Sequence, residues 1–169
     1  NNIGQEVADQ NFVLNQIQLS FNSIVSGFRG SSMSITRMTN QFGQYNGSVT
    51  VNSLAGTWQS SYQMFANVDL LEAINTTTEA GIPYHLGVAQ IIEAYTYISL
   101  VDYVGDVPYS QANQFGEFPT PILDNGEDVY LAQLALLNTA IANLNAESVV
   151  IPQDLFFGDF EKENWIALA

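Results

Sequence analysis

Cysteine is absent, and with it disulfides and thiolate metal sites. Basic residues are nearly absent too: three Lys and Arg stand against 17 Asp and Glu, a formal charge of −14. A surface so poor in cations cannot neutralise phosphates, which argues against nucleic acid as a partner, and it has little attraction for anionic headgroups. His85 is the single histidine. At the start of an apolar helix such a residue is normally structural, and no H-E-x-x-H, Cys/His cluster, G-x-S-x-G elbow or phosphate-cradling glycine loop occurs. Long uninterrupted apolar runs are missing as well. The longest apolar-rich segment, Tyr84 to Val104, is broken by His85, Gln90, Glu93 and Asp102, a load that a membrane span would not carry. The chain opens "NNIGQEVADQ", without an initiator Met or an apolar leader, and reads as a mature or trimmed product.

What is present is ample apolar material: 47% of 169 residues, enough for one domain with a sizeable core. Leu14, Ile17, Phe21, Ile24 and Phe28 recur at helical intervals, which predicts a helix from about Gln5 to Ser26 ended by Gly27 or Gly30. Residues 29 to 56 lack a helical period and read as a long loop. Thr57 is the expected N-cap of a second helix, continued by Trp58, Tyr62, Phe65 and Val68 or Asp69 to about Ile74. The segment from Tyr84 to Val104 is apolar nearly all round and should be a central, buried helix. Gly105 and Pro108 stop it. Asp124 with Glu127 resembles a capping box ahead of a helix showing Tyr130, Leu134, Leu137, Ile141 and Leu144, and "ENWIALA" begins another. The fold class is therefore all-α, with paired antiparallel helices and long irregular loops; helix pairs of similar length also fit a helical-repeat array, though no clean consensus of about 34 residues is present. Trp165, Ile166 and Leu168 arrive without a stop signal, so residues 1–169 read as the N-terminal part of a single helical domain continuing beyond 169, with Trp165 left exposed when that part stands alone.

Sites of chemistry are few. Asp124, Asn125, Glu127 and Asp128 offer oxygen to a calcium ion, but the spacing is not that of an EF-hand and helix capping uses the same residues; no metal and no cofactor is expected. The pairs Asp102 with Asp106 and Glu161 with Glu163 read as solvated acidic faces. The loop before Thr57 differs in kind. Phe42 and Tyr45 stand among Asn40, Gln41, Gln44 and Asn46. Aromatic faces beside amides suit a neutral polyhydroxylated ligand, the ring against the C–H face of a sugar and the amides on its hydroxyls. Phe42, Tyr45 and Asn46 are the candidate ligand contacts; alternatively both rings pin the loop to the helices.

Several stretches, taken together, resemble the SusD/RagB family of nutrient-binding outer-membrane lipoproteins, in particular its SusD-like subgroup. "TWQSSYQMFANVDLLE" is similar to that family's W-x-x-x-Y helix through Trp58 and Tyr62. "GVAQIIEAYTYISLVDYVGDVPYSQA" resembles its long helix and Gly-Asp-x-Pro-Tyr turn, carried by Gly105, Asp106, Pro108 and Tyr109. "PILDNGEDVYLAQLALLNTAIANL" is similar to its next helix through Asp124, Glu127 and Tyr130, and "DLFFGDFEKENWIALA" to the start of its G-D-x-x-x-W-x-x-x-A-N segment. The likeness covers about residues 57 to 169; "ENW" departs from it, where a basic residue commonly precedes the Trp. The resemblance implies an all-α scaffold of tetratricopeptide-like paired helices with long irregular loops, in a non-enzymatic protein of the cell outer membrane, surface-exposed, binding oligosaccharide or sometimes peptide. It also implies a SusC-like TonB-dependent transporter as partner and a lipid anchor on a Cys outside this chain, with no direct membrane or nucleic-acid contact. On the resemblance, the Gly-Asp-Val-Pro-Tyr turn is structural rather than ligand-binding. The rival reading is a non-catalytic helical scaffold for a protein or peptide partner.

Overall fold

The computed structural model describes residues 3–38, 52–79, 81–114 and 116–169. Phe42, Tyr45 and Asn46 lie outside them. Among the described residues the elements are α1 (Ile3–Ile35), α2 (Ala55–Thr77), α3 (Pro83–Val104), α4 (Gly126–Asn145) and α5 (Lys162–Leu168). An isolated antiparallel bridge, Val107 with Asp124, is the β-type pairing found there.

The helices pair head to tail. Early in α1, Gln10 Nε2 meets Thr78 Oγ1 beyond the end of α2 at 3.4 Å, while late in α1 Gly27 packs on Thr57 at the start of α2. Likewise Asn143 near the end of α4 donates to Gln90 early in α3 at 2.8 Å, and Gly126 at the start of α4 lies against Val101 and Gly105 at the end of α3. Two antiparallel hairpins result, joined along α3, which packs against α1, α2, α4 and α5. This explains why α3 is apolar on every side: its residues from His85 to Ile92 are all buried. The all-α, paired-helix architecture is the one the sequence predicts.

Three local expectations are corrected. The first helix does not stop at Gly27 or Gly30 but runs to Ile35. Gly27 serves close packing: a Cβ there would lie 2.4 Å from Thr57 Oγ1. The stop is made by Arg37 in the left-handed region (φ 58°), with Met38 N donating to Met33 O and Arg37 N to Ser34 O, a Schellman arrangement without its usual glycine. Residues 29 to 35 are thus helix rather than loop. Second, Thr57 is not an N-cap; α2 begins at Ala55 and Thr57 lies in its first turn. Third, α4 turns a different face inward. Val129, Gln133, Ala140 and Leu144 are buried, whereas Leu134 is 53% exposed.

Trp165 is another reversal, at 1% exposure. Its Nε1 donates to Asp154 Oδ2 at 2.6 Å, and the rings of Phe156 and Phe157 meet it edge-on at 6.0 and 5.4 Å. The segment that carries this cover is strapped along α1 by amides. Asn15 Nδ2 donates to Gln153 Oε1, Gln18 Nε2 to Gln153 O, Gln153 N to Asn11 Oδ1 and Leu155 N to Gln18 Oε1. A short helix such as α5 is not stable alone; here Trp165 anchors it within the chain.

Candidate functional site

The stretch after α3 does more than end a helix. Gly105 takes φ +83°, which glycine reaches without a Cβ penalty, and its N–H donates to Val101 O at 2.8 Å. Asp106 Oδ1 accepts from Gly126 N at 3.0 Å, capping the first turn of α4. Asp106 is therefore a cap, not half of a solvated pair. Val107 is fully buried and bridges to Asp124. The Pro108 carbonyl accepts from Tyr62 Oη at 2.8 Å. Tyr109 sets its ring edge-on to Tyr97, 5.0 Å between centroids at 89°. Gly105 and Tyr109 thus tie the turn to α3, Asp106 to α4 and Pro108 to α2, while Val107 bridges to Asp124, and together they latch the three helices.

Asp124 completes the latch. It is not the N-cap: Asn125 is, its Oδ1 accepting from Glu127 N at 2.9 Å. The Asp124 carboxylate instead accepts from Tyr109 N, Ser110 N and Ser110 Oγ at 2.8, 2.9 and 2.7 Å. Burial works against its charge, but these three bonds outweigh it and hold the carboxyl below the usual aspartate range. Of the run weighed for calcium, the Asp124 side chain is engaged in this turn and that of Asn125 in the cap, while Glu127 and Asp128 are exposed, and among the described residues no group of three His, Asp or Glu could hold a metal ion. Asp102 accepts a hydrogen bond from Tyr130 Oη. His85 is buried at the start of α3, its Nε2 facing Asn11 Oδ1 at 3.2 Å, and burial pushes its imidazole down to about 4. It is neutral and structural.

The latch walls two adjoining clefts, which share Ala112 and Asn113. The first, about 210 Å³, is lined by Trp58, Tyr62, Pro108, Pro121 and the shared pair. Trp58 and Tyr62, one helical turn apart on α2, place their ring centroids 5.0 Å apart. This half is an apolar aromatic platform. The second, about 270 Å³, has Phe65, Tyr97 and Tyr109 as walls and Asp69, Glu93, Ser110, Asn113 and Gln114 as polar groups. Phe65 and Tyr97 stack at 3.9 Å and 4°, making a flat inner wall. Asn113, held at φ 57°, donates from Nδ2 to Asp69 Oδ2 at 3.4 Å.

Electrostatics divide the two halves. Burial, then the charges of Glu72 and Asp69, push the Glu93 carboxyl up to about 8. Burial raises Asp69 as well, with the Asn113 bond opposing it. The second cleft therefore carries a carboxyl that holds its proton at neutral pH and can donate a hydrogen bond. Aromatic faces, amides and carboxyls around a half-open space bind hydroxyl-rich molecules.

Sequence reasoning found Trp58, Tyr62 and Tyr109 only as scaffold. It took Glu93 only as a fault in a membrane span, and it passed over Tyr97, Asn113 and Gln114. A signal was present: Glu93 and Tyr97 stand one turn apart on a helix otherwise apolar all round, and Asp69 competes with Val68 for a place on the inner face of α2.

A family model described as SusD-like, starch-binding and associating with the outer membrane, matches residues 1–169. Among curated proteins nothing matches the chain. Among solved structures, a SusD/RagB family protein from Bacteroides thetaiotaomicron superposes with a TM-score of 0.60 at 20% sequence identity. The superposition covers 83% of this chain and 31% of that one, so this chain spans about a third of that protein's length; at such identity the likeness is one of fold.

Proposed function

The chain belongs to the SusD-like family, and from that premise we propose that it is a non-catalytic, surface-exposed saccharide-binding lipoprotein that hands its ligand to a SusC-like TonB-dependent transporter. The observation that carries the binding role is the pair of clefts behind the Gly-Asp-Val-Pro-Tyr latch. Trp58 and Tyr62 give an apolar face for sugar C–H groups, and Asn113 at the shared wall gives an amide that both donates and accepts. Phe42, Tyr45 and Asn46 are proposed to add contacts of the same kind. They precede α2 in sequence, and Trp58 stands near its start.

The chain's charge of −14 supports a partner surface that is basic or neutral at the contact. A glycan array tests the reading. Binding to one or more oligosaccharides, without their cleavage on prolonged incubation, is expected. Silence on every saccharide together with tight binding to a protein would replace this reading with that of a helical scaffold. Co-purification with the transporter encoded beside it tests the partner; a gene neighbourhood without any TonB-dependent transporter would remove it.

A further inference from the structure

We propose that Asn125–Gly126 is a covalent modification site gated by the latch: it deamidates when the turn lets go of α4, and one of the products keeps the latch from closing again. Asn-Gly is the pair in which this chemistry runs most readily, because the glycine leaves the following main-chain nitrogen sterically open. The sequence holds two such pairs, Asn46–Gly47 and Asn125–Gly126. The first lies outside the described residues. The second stands where the turn meets α4, with Asn125 exposed to water and Gly126 buried.

The reaction needs only water and hydroxide. Hydroxide takes the proton of the Gly126 N–H, and the nitrogen attacks the side-chain carbonyl carbon of Asn125. A C–N bond forms there while the bond to the side-chain NH2 breaks, and that group leaves as ammonia after taking a proton from water. Water then opens the five-membered succinimide. Attack at the former side-chain carbonyl gives aspartate; attack at the main-chain carbonyl gives isoaspartate.

Three features of the fold block the first step. The Gly126 N–H donates to Asp106 Oδ1 at 3.0 Å, so removing its proton would set a negative nitrogen against a carboxylate. Asn125 Oδ1 accepts from Glu127 N at 2.9 Å, which holds the side chain over the first turn of α4. Asn125 has ψ 133°, which turns the Gly126 nitrogen away from the side chain, whereas ring closure needs both on one side of the Cα–C bond. All three are undone together when the first turn of α4 leaves the turn at 105–109, a local opening that does not require the chain to unfold.

The products differ in what they do to the latch. Aspartate at this position still caps α4, and its added charge suits a helix N-terminus. Isoaspartate carries the main chain through one extra methylene, which draws Gly126 off Asp106 and removes the cap. The turn then no longer holds α4, and the opening has become permanent. Any consequence for ligand binding rests on the saccharide-binding reading; the modification itself does not.

Peptide mapping by mass spectrometry follows Asn125 during incubation in mildly alkaline buffer, in the folded protein and in a synthetic peptide of residues 121–130. The protein should react at least about tenfold more slowly than the peptide, since only its open fraction reacts. Asp106→Ala and Tyr62→Phe each delete one hydrogen bond of the latch and should speed the reaction by about fivefold. Leu144→Val trims a fully buried side chain at the opposite end of α4, so it lowers stability without touching the latch and should leave the rate close to the parent's. Circular dichroism checks that each variant is folded at the incubation temperature. Separated by chromatography, the isoaspartate form should melt below both the aspartate form and the parent. A folded protein that reacts as fast as the peptide would overturn the inference. So would equal rates in the parent, Asp106→Ala and Tyr62→Phe, an acceleration by Leu144→Val that matches theirs, or an isoaspartate form that melts with the parent.

Discussion

The hydroxyl of Tyr62 donates to the carbonyl of Pro108 at 2.8 Å, joining two sequence motifs that lie 46 residues apart. One is the Trp-x-x-x-Tyr of α2 and the other the Gly-Asp-Val-Pro-Tyr turn. Through this bond the turn is held over α2, and the space left between them is the aromatic platform. Tyr62→Phe keeps the ring and deletes the bond. The loss should be about 1 kcal/mol, hence a melting temperature lower by about 2–4 °C for a chain of this size. Saccharide affinity should fall as well, because the wall carrying Asn113 loosens. A melt and a titration on the same variant check both; an unchanged melt would mean that the turn is held without Tyr62.

Gly87 fixes the approach of α4 to α3. A Cβ at this position would stand 2.7 Å from Leu144 Cγ and 3.0 Å from the Ala140 carbonyl oxygen. The second of these is backbone and cannot rotate away. Gly87→Ala should therefore destabilise by about 1–3 kcal/mol through overpacking, despite the better helix propensity of alanine. Urea unfolding measures this; a gain in stability would show that the two helices can part freely.

Stability should depend on pH at two groups of opposite sign. His85 titrates near 6.5 when unfolded and about 4 in the fold, so between those values the unfolded chain holds the extra proton and stability falls as pH falls from about 6.5 to 4. Glu93 moves from an ordinary 4.5 to about 8. Its extra proton belongs to the folded state, so the associated stability is fully present below about 4.5 and is lost as pH rises through 8. His85→Gln should flatten the first limb and Glu93→Gln the second. Melting curves from pH 4 to 9 on the three proteins read this directly. An unaltered alkaline limb in Glu93→Gln would mean that Glu93 is solvated.

The helices were legible where burial is periodic or complete. Leu14, Ile17 and Ile24 are fully buried as their spacing requires, and α3, apolar on every side, is the central helix. Boundaries were legible only where the usual residue does the work. Gly105 stops α3 as expected, but Arg37 stops α1, and no residue preference points to an arginine at positive φ. Gly27 misled for the same reason, since a packing glycine and a stopping glycine look alike in sequence. On α4, leucines at 131 and 134 are exposed while Gln133 is buried; the apolar pattern there spans more than one face, so it could not choose the inner one.

The clefts were less legible than the helices. Their members come from α2, α3 and the turn, and nothing local links Asp69 to Glu93 or Asn113. Only the latch brings them together, and the latch depends on hydrogen bonds from Tyr62 and to Asp124. The sequence pattern identified the motif residues correctly as scaffold, without indicating that the scaffold itself walls a cavity. The candidates Phe42, Tyr45 and Asn46 lie outside the described residues.

The central claim is that a saccharide rests on the Trp58–Tyr62 platform. Trp58→Leu keeps apolar bulk against α2 while removing the indole face. Titrated with the tightest saccharide found on the array, this variant should lose roughly two- to tenfold in affinity, as expected for a ring contact of about 0.5–1.5 kcal/mol, and its melting temperature should fall only slightly. Full affinity in Trp58→Leu, with the fold intact, would contradict the account and move the ligand elsewhere on the molecule.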